Sequence, residues 1–242
     1  PRIVRSKVDP CIFYINEPDI QMVMVCHVDD YIIGCSDPKW FPKFLKTFNE
    51  HFPMNLVGEP KQYLGMKIEW NDENETVSFS QTKRINEMID KFKLIDAQKT
   101  YLTPMENKFS VPKGDPENLP NVPYRQLLGE LYWISRTCRP DIITAVNRLS
   151  RYQNCYTNET WKALKRILLY LKGSDKLKLV YTRKKYNSEN IVGSDMEIYS
   201  DSTWVDDEWD GKSTTRMAVI QSRNLISWMC EKQHTQALSS AE

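Results

Sequence analysis

The spacing of apolar and polar residues changes twice along this chain of 242 residues. Up to about residue 80, short apolar runs alternate with turn residues, a pattern that predicts strands and one interrupting helix. Between residues 81 and 190 the apolar positions follow helical spacing, and from about residue 191 they return to the spacing of strands. The sequence therefore predicts an α+β protein with domains at 1–80, 81–190 and 191–242.

Five helices are predicted from apolar residues that recur every three or four positions, the first from residue 37 or 38 to 51 and the others at 81–92, 124–136, 140–152 and 158–172. Strands are predicted at 12–15, 63–70, 76–79, 197–200, 216–221 and 225–229. Prolines between residues 104 and 123 predict an extended connector that is mobile or lies on the surface.

Four residues, His27, Val28, Asp29 and Asp30, separate two apolar runs. This arrangement predicts a β-hairpin with two carboxylates at its tip. Adjacent carboxylates on a rigid turn suit the two Mg²⁺ ions that assist phosphoryl transfer to a primer hydroxyl. In an arbitrary chain such a pair more often serves turn formation and solvation, so these residues alone leave both interpretations open.

Further motifs follow the hairpin in a fixed order. They are GEPKQYLGMKI at 58–68, YRQLLG at 124–129, RPDI at 139–142, LSRY at 149–152, YLKG at 170–173, YSDS at 199–202 and LSSAE at 238–242. In these motifs the chain resembles the copia-type LTR-retrotransposon polyproteins over nearly its whole length. The first motifs are similar to the reverse transcriptase, and the last are similar to the start of RNase H.

The resemblance implies a role for each region. Residues 1–80 would form the C-terminal part of a reverse transcriptase palm, residues 81–190 a helical thumb or connection, and residues 191–242 an incomplete RNase H-like α/β domain. The implied activity is RNA-directed DNA polymerisation with RNase H cleavage, on an RNA–DNA hybrid or template–primer. The implied location is a cytoplasmic virus-like particle, with access to the nucleus.

The resemblance also implies the site residues. Asp29 and Asp30 would be catalytic carboxylates that bind Mg²⁺, and Asp201 and Glu242 would be the catalytic, Mg²⁺-binding carboxylates of RNase H. The primer grip would include three consecutive residues, Tyr63, Leu64 and Gly65.

Both implied catalytic sites are expected to be incomplete. The family has a further metal-binding Asp well upstream of the hairpin, and Pro1 lies too close to Asp29 for the chain to include it. The chain also ends at Glu242, before the later Asp of RNase H. We therefore expect the isolated chain to be inactive and to work with the remaining parts of the polyprotein.

Four residues depart from the family pattern. His27 stands where the family has Tyr, and Thr203 replaces a usual Asp. Arg216 and Met217 fall where Gly and Tyr are normal. These departures indicate decay or divergence, and for His27 a half-buried position is favoured over a role as metal ligand.

Positive charge is concentrated at residues 161–185, where nine Lys or Arg residues accompany a single Asp. The apolar stripe of this segment predicts a helix with one face inward and its cations projecting. Lys162, Lys165, Arg166 and Lys172 are therefore predicted to bind nucleic acid. The alternative is a solvated lysine face, which is the commoner case in an arbitrary chain.

The overall composition excludes few classes of function. A net charge of +1 gives no general attraction to nucleic acid, and the six cysteines have neither zinc-ligand nor disulfide-framework spacing. No apolar stretch approaches the length of a membrane span. Two other interpretations stay open, a non-catalytic or domesticated module that binds nucleic acid and a purely structural remnant. The sequence does not predict the oligomeric state.

Overall fold

The chain divides after Pro60 into two units, residues 1–60 and 61–242. The computed structural model describes residues 2–107, 109–182, 196–205, 209–236 and 239. Each unit combines an antiparallel sheet with helix, which confirms the predicted α+β class. The division into three domains stays a prediction.

The first unit is a four-stranded antiparallel sheet with one helix on it. Its strands are β1 (Val4–Arg5), β2 (Ile12–Glu17), β3 (Ile20–His27) and β4 (Asp30–Cys35), hydrogen-bonded in chain order. Alternate residues point to opposite faces of a strand, so Ile15, Met22 and Met24 are buried while Tyr14 and Val23 are exposed. The buried face forms this unit's core together with the helix.

That helix is α1 (Phe41–His51), and it begins later than the predicted residue 37. The Asp37 side chain instead accepts a hydrogen bond from the backbone N–H of Lys39 at 2.8 Å, which favours a turn before the helix. Phe44 is buried, and Phe41, Leu45 and Phe48 pack around the same core, as their spacing predicts.

The described residues of the second unit form two sheets and four helices. The elements are β5 (Gln62–Tyr63), β6 (Met66–Asn71), β7 (Thr76–Ser80), α2 (Thr82–Lys91), α3 (Tyr124–Thr137), a 3-10 turn (Pro140–Ile142), α4 (Ile143–Ser150), α5 (Asn158–Gly173), β8 (Leu179–Thr182), β9 (Met196–Thr203), β10 (Thr214–Gln221) and β11 (Asn224–Lys232). The sheet orders are β5-β6-β7-β8 and β11-β10-β9. The single strand predicted at 63–70 is wrong, because Leu64 and Gly65 form a turn with φ values of 48° and 78°.

The four helices of the second unit share one apolar interior. Leu127, Leu131, Leu164 and Leu168 are completely buried there. Burial of each such side chain contributes roughly 1.5–3 kcal/mol, so this interior stabilises the packing of the four helices. Tyr124 is also buried, and its hydroxyl donates to the Leu149 carbonyl at 2.8 Å, which satisfies the polar atom.

The proline-containing connector between α2 and α3 lies on the helices. The sequence predicted either this surface position or a mobile connector. The Tyr152 hydroxyl donates to the Val111 carbonyl at 3.1 Å, and the Gly114 N–H donates to the Cys155 carbonyl at 2.8 Å. A Cβ at Gly114 would lie 2.8 Å from the Tyr156 carbonyl oxygen, so this close approach requires glycine.

A buried arginine joins the 3-10 turn to the end of α5. Arg139 is 3% exposed, and its guanidinium donates to both carboxylate oxygens of Asp141, at 2.9 and 2.7 Å. The same guanidinium donates to the Ser174 carbonyl at 3.0 Å and to its hydroxyl at 2.7 Å. The Tyr170 hydroxyl donates to Asp141 at 2.7 Å. Because a buried cation needs such partners, this network fixes the turn against α5.

Asp141→Asn should lower the free energy of unfolding by about 2 kcal/mol, since it leaves the buried Arg139 without its counter-charge. Glu87→Gln is the matched control, because the Lys83–Glu87 pair is 3.9 Å apart and both side chains are largely exposed. That change should alter stability by less than about 0.5 kcal/mol in urea unfolding.

The same carboxylate predicts a pH dependence of stability. Desolvation opposes ionisation of Asp141, but the hydrogen bonds and charge of Arg139 outweigh it, so the pKa of Asp141 is lowered. A lowered folded-state pKa gives stability that is present above the unfolded value, about 3.9, and is lost as the pH falls below it. The difference between parent and Asp141→Asn should therefore shrink below about pH 4. An equal difference at pH 3 and pH 7 would contradict this account.

Candidate functional site

Asp29 and Asp30 lie at the tip of the predicted hairpin. β3 ends at His27 and β4 begins at Asp30, with these two residues paired across the strands. Val28 and Asp29 form the connecting turn, and all four residues are exposed, so the half-buried position predicted for His27 is wrong. Val28 has a φ of 54°, a conformation that is strained for a β-branched residue and that turns of this kind usually reserve for glycine. Strain of this sort often accompanies functional turns.

The two tip carboxylates suit Mg²⁺, which prefers oxygen ligands, but they are only part of a binding site. Among the described residues, no group of three or more His, Cys, Asp or Glu side chains could hold a metal ion. The hairpin itself is confirmed. Metal binding and catalysis by Asp29 and Asp30 stay predictions.

The predicted primer-grip residues occupy a tight turn in the second unit. Tyr63 ends β5 and pairs with Met66 of β6, and Leu64 and Gly65 connect them with positive φ at both positions. Gly65 adopts this conformation without strain. The backbone there is compatible with close approach of a ligand, and the role of these residues in primer binding stays a prediction.

Asp201 lies on β9 opposite Arg216 of β10. The Arg216 Nη1 donates to Asp201 Oδ2 at 3.1 Å and to Thr203 Oγ1 at 2.6 Å. The carboxylate that the sequence assigns to a metal ion is thus paired with a guanidinium. This donor set does not fit Mg²⁺, since the negative charge is already compensated. Glu242, the other predicted RNase H carboxylate, lies outside the described residues.

Two of the four predicted nucleic-acid-binding cations do not project into solvent. The Lys172 ammonium donates to the carbonyls of Leu94, Ile95 and Ala97 at 3.2, 2.6 and 3.0 Å. The Arg166 guanidinium donates to Glu106 at 2.7 Å, and it stacks 4.2 Å from the ring centre of Tyr101. The expected projection is therefore corrected for both residues, because segments distant in sequence supply their partners.

The other two cations of α5 remain accessible. Lys162 is exposed, and Lys165 is partly buried with its ammonium 5.6 Å from the ring centre of Trp161. The prediction of nucleic-acid binding on α5 rests on these two residues.

An exposed face of α3 was not predicted as a site. Gly129 lies in the middle of this helix, and a Cβ added there would meet nothing within 4 Å. Tyr132 and Trp133, one turn later, are 47% and 36% exposed. The Arg136 guanidinium lies 5.4 Å from the Tyr132 ring centre and 3.5 Å from Glu231. The signal in the sequence was Gly129, since a glycine inside a helix costs about 1 kcal/mol and usually has a packing or functional reason.

Known proteins match the chain along most of its length. The reverse transcriptase (RNA-dependent DNA polymerase) family profile matches residues 3–107. The Pol polyprotein from transposon TNT 1-94 of Nicotiana tabacum is 29% identical over 245 residues, 97% of this chain. The Pol polyprotein from transposon RE1 of Arabidopsis thaliana is 32% identical over 241 residues, 99% of this chain. Residues 3–107 thus match a reverse transcriptase domain, and nearly the whole chain is similar to copia-type retrotransposon Pol polyproteins.

The chain covers only a small part of these polyproteins, 18% of the tobacco protein and 16% of the Arabidopsis protein. A secreted RxLR effector protein of Plasmopara viticola is 34% identical over 122 residues, which are 50% of this chain and 81% of the effector. No solved structure shows a significant match. None of the described helices is long and apolar enough to cross a membrane.

Lys172→Met should lower the free energy of unfolding by about 2 kcal/mol, because it leaves three carbonyls without their cationic donor. Lys162→Met on the same helix is the matched control and should change stability by less than about 0.5 kcal/mol. Urea unfolding of both variants tests the assignment of Lys172 as a structural cation. Equal stability of the two variants would contradict it.

Proposed function

We propose that this chain is a segment of a retrotransposon reverse transcriptase that holds an RNA–DNA hybrid or template–primer. The observation that carries the proposal is the exposed face of α3 formed by Gly129, Tyr132, Trp133 and Arg136, hereafter the α3 face. Similarity to the reverse transcriptase family gives the ligand class, and the chemistry of this face suits it.

Each residue of the α3 face suits contact with a nucleic-acid strand. Gly129 leaves the helix backbone open to close approach, and, apart from its own local backbone, no atom of the described residues lies within 4 Å of a Cβ added there. The exposed rings of Tyr132 and Trp133 offer surfaces for sugars and bases, and such stacking depends little on base sequence. The Arg136 guanidinium lies 3.5 Å from Glu231 in an exposed ion pair, and it would exchange this weak pairing for a phosphate.

Lys162 and Lys165 of α5 extend the proposed contact to the phosphate backbone. Their ammonium groups would release counterions from a duplex, which gives affinity with little sequence dependence. Arg166 and Lys172 are left out of this role, since both serve internal contacts.

At the hairpin, Asp29 and Asp30 are proposed as two of the carboxylates that hold Mg²⁺ in the polymerase. When bound, Mg²⁺ would stabilise the negative charge that develops during phosphoryl transfer to the primer hydroxyl. Their adjacency on a short turn would fix both carboxylates at the end of the sheet. Tyr63, Leu64 and Gly65 are proposed to contact the primer strand.

The sheet of β9, β10 and β11 is proposed as the first three strands of an RNase H-like domain. Its antiparallel order along the chain supports this assignment. No hydrolytic step is assigned to it, because Asp201 is paired with Arg216.

We further propose that the isolated chain binds nucleic acid without catalysis and that the remaining parts of the polyprotein complete the polymerase. The proposed location is the cytoplasmic virus-like particle of the element, with access to the nucleus. The second candidate is a non-catalytic or domesticated binding module, favoured by the same α3 face and by the incomplete ligand sets among the described residues.

Gly129→Leu should weaken binding to an RNA–DNA hybrid at least tenfold, because the added side chain blocks close approach. The same change should raise the free energy of unfolding by about 0.5–1 kcal/mol, since leucine favours a helix over glycine. Fluorescence anisotropy with a labelled hybrid and urea unfolding measure the two effects. Their opposite signs separate loss of contact from loss of fold.

Three further variants test the α3 face and the two lysines of α5 separately. Trp133→Ala should also weaken binding about tenfold, as the loss of one stacking surface is worth ~1–3 kcal/mol. Trp70→Ala is its control, an exposed tryptophan on β6, which is not part of the α3 face. Lys162→Gln with Lys165→Gln should reduce the slope of log affinity against log salt by roughly 0.7 to 0.9 per lost contact. Parent-like binding by Gly129→Leu and Trp133→Ala would exclude the α3 face as the site.

The purified chain should not extend a primer with Mg²⁺, because the described residues gather no complete ligand set around Asp29 and Asp30. A primer-extension assay on a hybrid that the chain is shown to bind measures this. Extension that Asp29→Asn abolishes, and that Asp19→Asn in the turn between β2 and β3 retains, would show a complete polymerase instead.

A further inference from the structure

In the sheet of β9, β10 and β11, hereafter the third sheet, the pairing of Asp201 with Arg216 affects metal binding. We infer that Arg216 takes the place of a metal ion as the counter-charge of Asp201, so that this sheet excludes divalent cations at the position where a hydrolytic site would need them. The inference concerns β9 and β10 alone and does not depend on the proposed template–primer function.

The strands hold the guanidinium in place. Arg216 lies on the middle strand, opposite Asp201 of β9 on one side and opposite Cys230 of β11 on the other. The Arg216 side chain is 29% exposed, whereas the Asp201 side chain is 74% exposed. The cation is therefore the more buried partner, and its guanidinium is held by hydrogen bonds to both Asp201 and Thr203.

Thr203 completes this arrangement. Its hydroxyl accepts from the same Nη1 that donates to Asp201, so one nitrogen is shared by two oxygens of β9. A carboxylate at position 203 would add a second negative charge, whereas threonine adds none. One full negative charge thus faces one full positive charge at this end of β9.

A divalent cation at Asp201 would meet direct repulsion. Mg²⁺ binds carboxylate oxygens at about 2.1 Å, so an ion on Oδ2 would lie within about 5 Å of the Arg216 Nη1. At this distance Mg²⁺ and the Arg216 guanidinium repel each other. The attraction between Arg216 and Asp201 also competes with a weakly bound ion. Displacing the guanidinium would also break its hydrogen bond to Thr203.

The sheet keeps a structural use without the metal. The Trp228 Nε1 donates to the Ser135 carbonyl at 2.8 Å, and the Asn147 side chain donates to the Cys230 carbonyl at 2.9 Å. These contacts tie β11 to α3 and α4. The third sheet therefore supports the helix that bears the α3 face, and this support requires no ion.

Manganese titration of the full chain tests the inference. Mn²⁺ broadens the NMR signals of nearby backbone amides, so the half-broadening concentration for residues 200–203 reports occupancy at Asp201. In Arg216→Ala this concentration should be at least tenfold lower than in the parent. Adding Asp201→Asn to Arg216→Ala should abolish that gain.

Two control variants separate local charge from other effects. Arg216→Lys keeps the positive charge and should behave like the parent. Arg223→Ala removes the same charge from the turn between β10 and β11, roughly 20 Å along the strand, and should also behave like the parent. Unchanged circular dichroism melts would show that each variant is folded.

The inference is overturned if the parent and Arg216→Ala broaden at the same Mn²⁺ concentration, or if neither broadens, because the guanidinium would then not be what excludes the ion. A gain in Arg216→Lys as large as that in Arg216→Ala would also overturn it, since charge would then play no part. A gain in Arg223→Ala equal to that in Arg216→Ala would assign the effect to net charge alone.

Discussion

The apolar interior shared by α2, α3, α4 and α5 is the constraint on which the rest of the second unit depends. Leu127 and Leu131 of α3 and Leu164 and Leu168 of α5 are removed completely from solvent. Because the inner side of α3 is committed to this interior, its other side must face outward. The exposure of Gly129 and Trp133 is therefore a consequence of where the leucines are, and any weakening of the interior would also disturb the α3 face.

Cations serve this fold in two different ways. Arg139 and Lys172 donate to several acceptors, and Arg166 donates to Glu106 and Thr103 while its buried Nε has no hydrogen-bond partner among the described residues. Lys162 has no such enclosure, and its side chain is exposed. A buried or partly buried cation must have its donors satisfied, whereas an exposed one is already satisfied by water. Positive charge counted along the sequence therefore overstates the charge that is free to meet a phosphate.

Local patterns predicted much of the fold. The hairpin around Asp29 and the helices of the second unit follow from apolar spacing within a few turns, and the structure retains them with shifts at their ends. The turn at Leu64 and Gly65 was missed because the apolar run continues through it, and spacing alone does not report a positive φ. The start of α1 was misplaced because Asp37 was taken as helical when its side chain closes a turn.

Apolar spacing could not predict contacts between residues that are far apart in the sequence. The three carbonyls that enclose Lys172 come from a segment more than 70 residues earlier in the chain. No periodicity in the sequence connects them. The pairing of Asp201 with Arg216 was equally hidden, since it depends on the register of β9 against β10. In the sequence, Arg216 stood out only as a departure from the family pattern. The strand register shows its effect, because it places Arg216 opposite Asp201.

The two predicted carboxylate sites differ in the charges around their carboxylates, and this difference matters more than the number of ligands each site lacks. At the hairpin, the residue paired with Asp30 is His27, and two adjacent carboxylates remain exposed on a strained turn. At β9, a single carboxylate is opposed by a guanidinium. Further ligands could complete the first site, because no guanidinium pairs with its two carboxylates in the described residues. Adding a ligand to the second would still leave Arg216 in place, so of these two sites the hairpin is the one whose described carboxylates have no guanidinium opposite them.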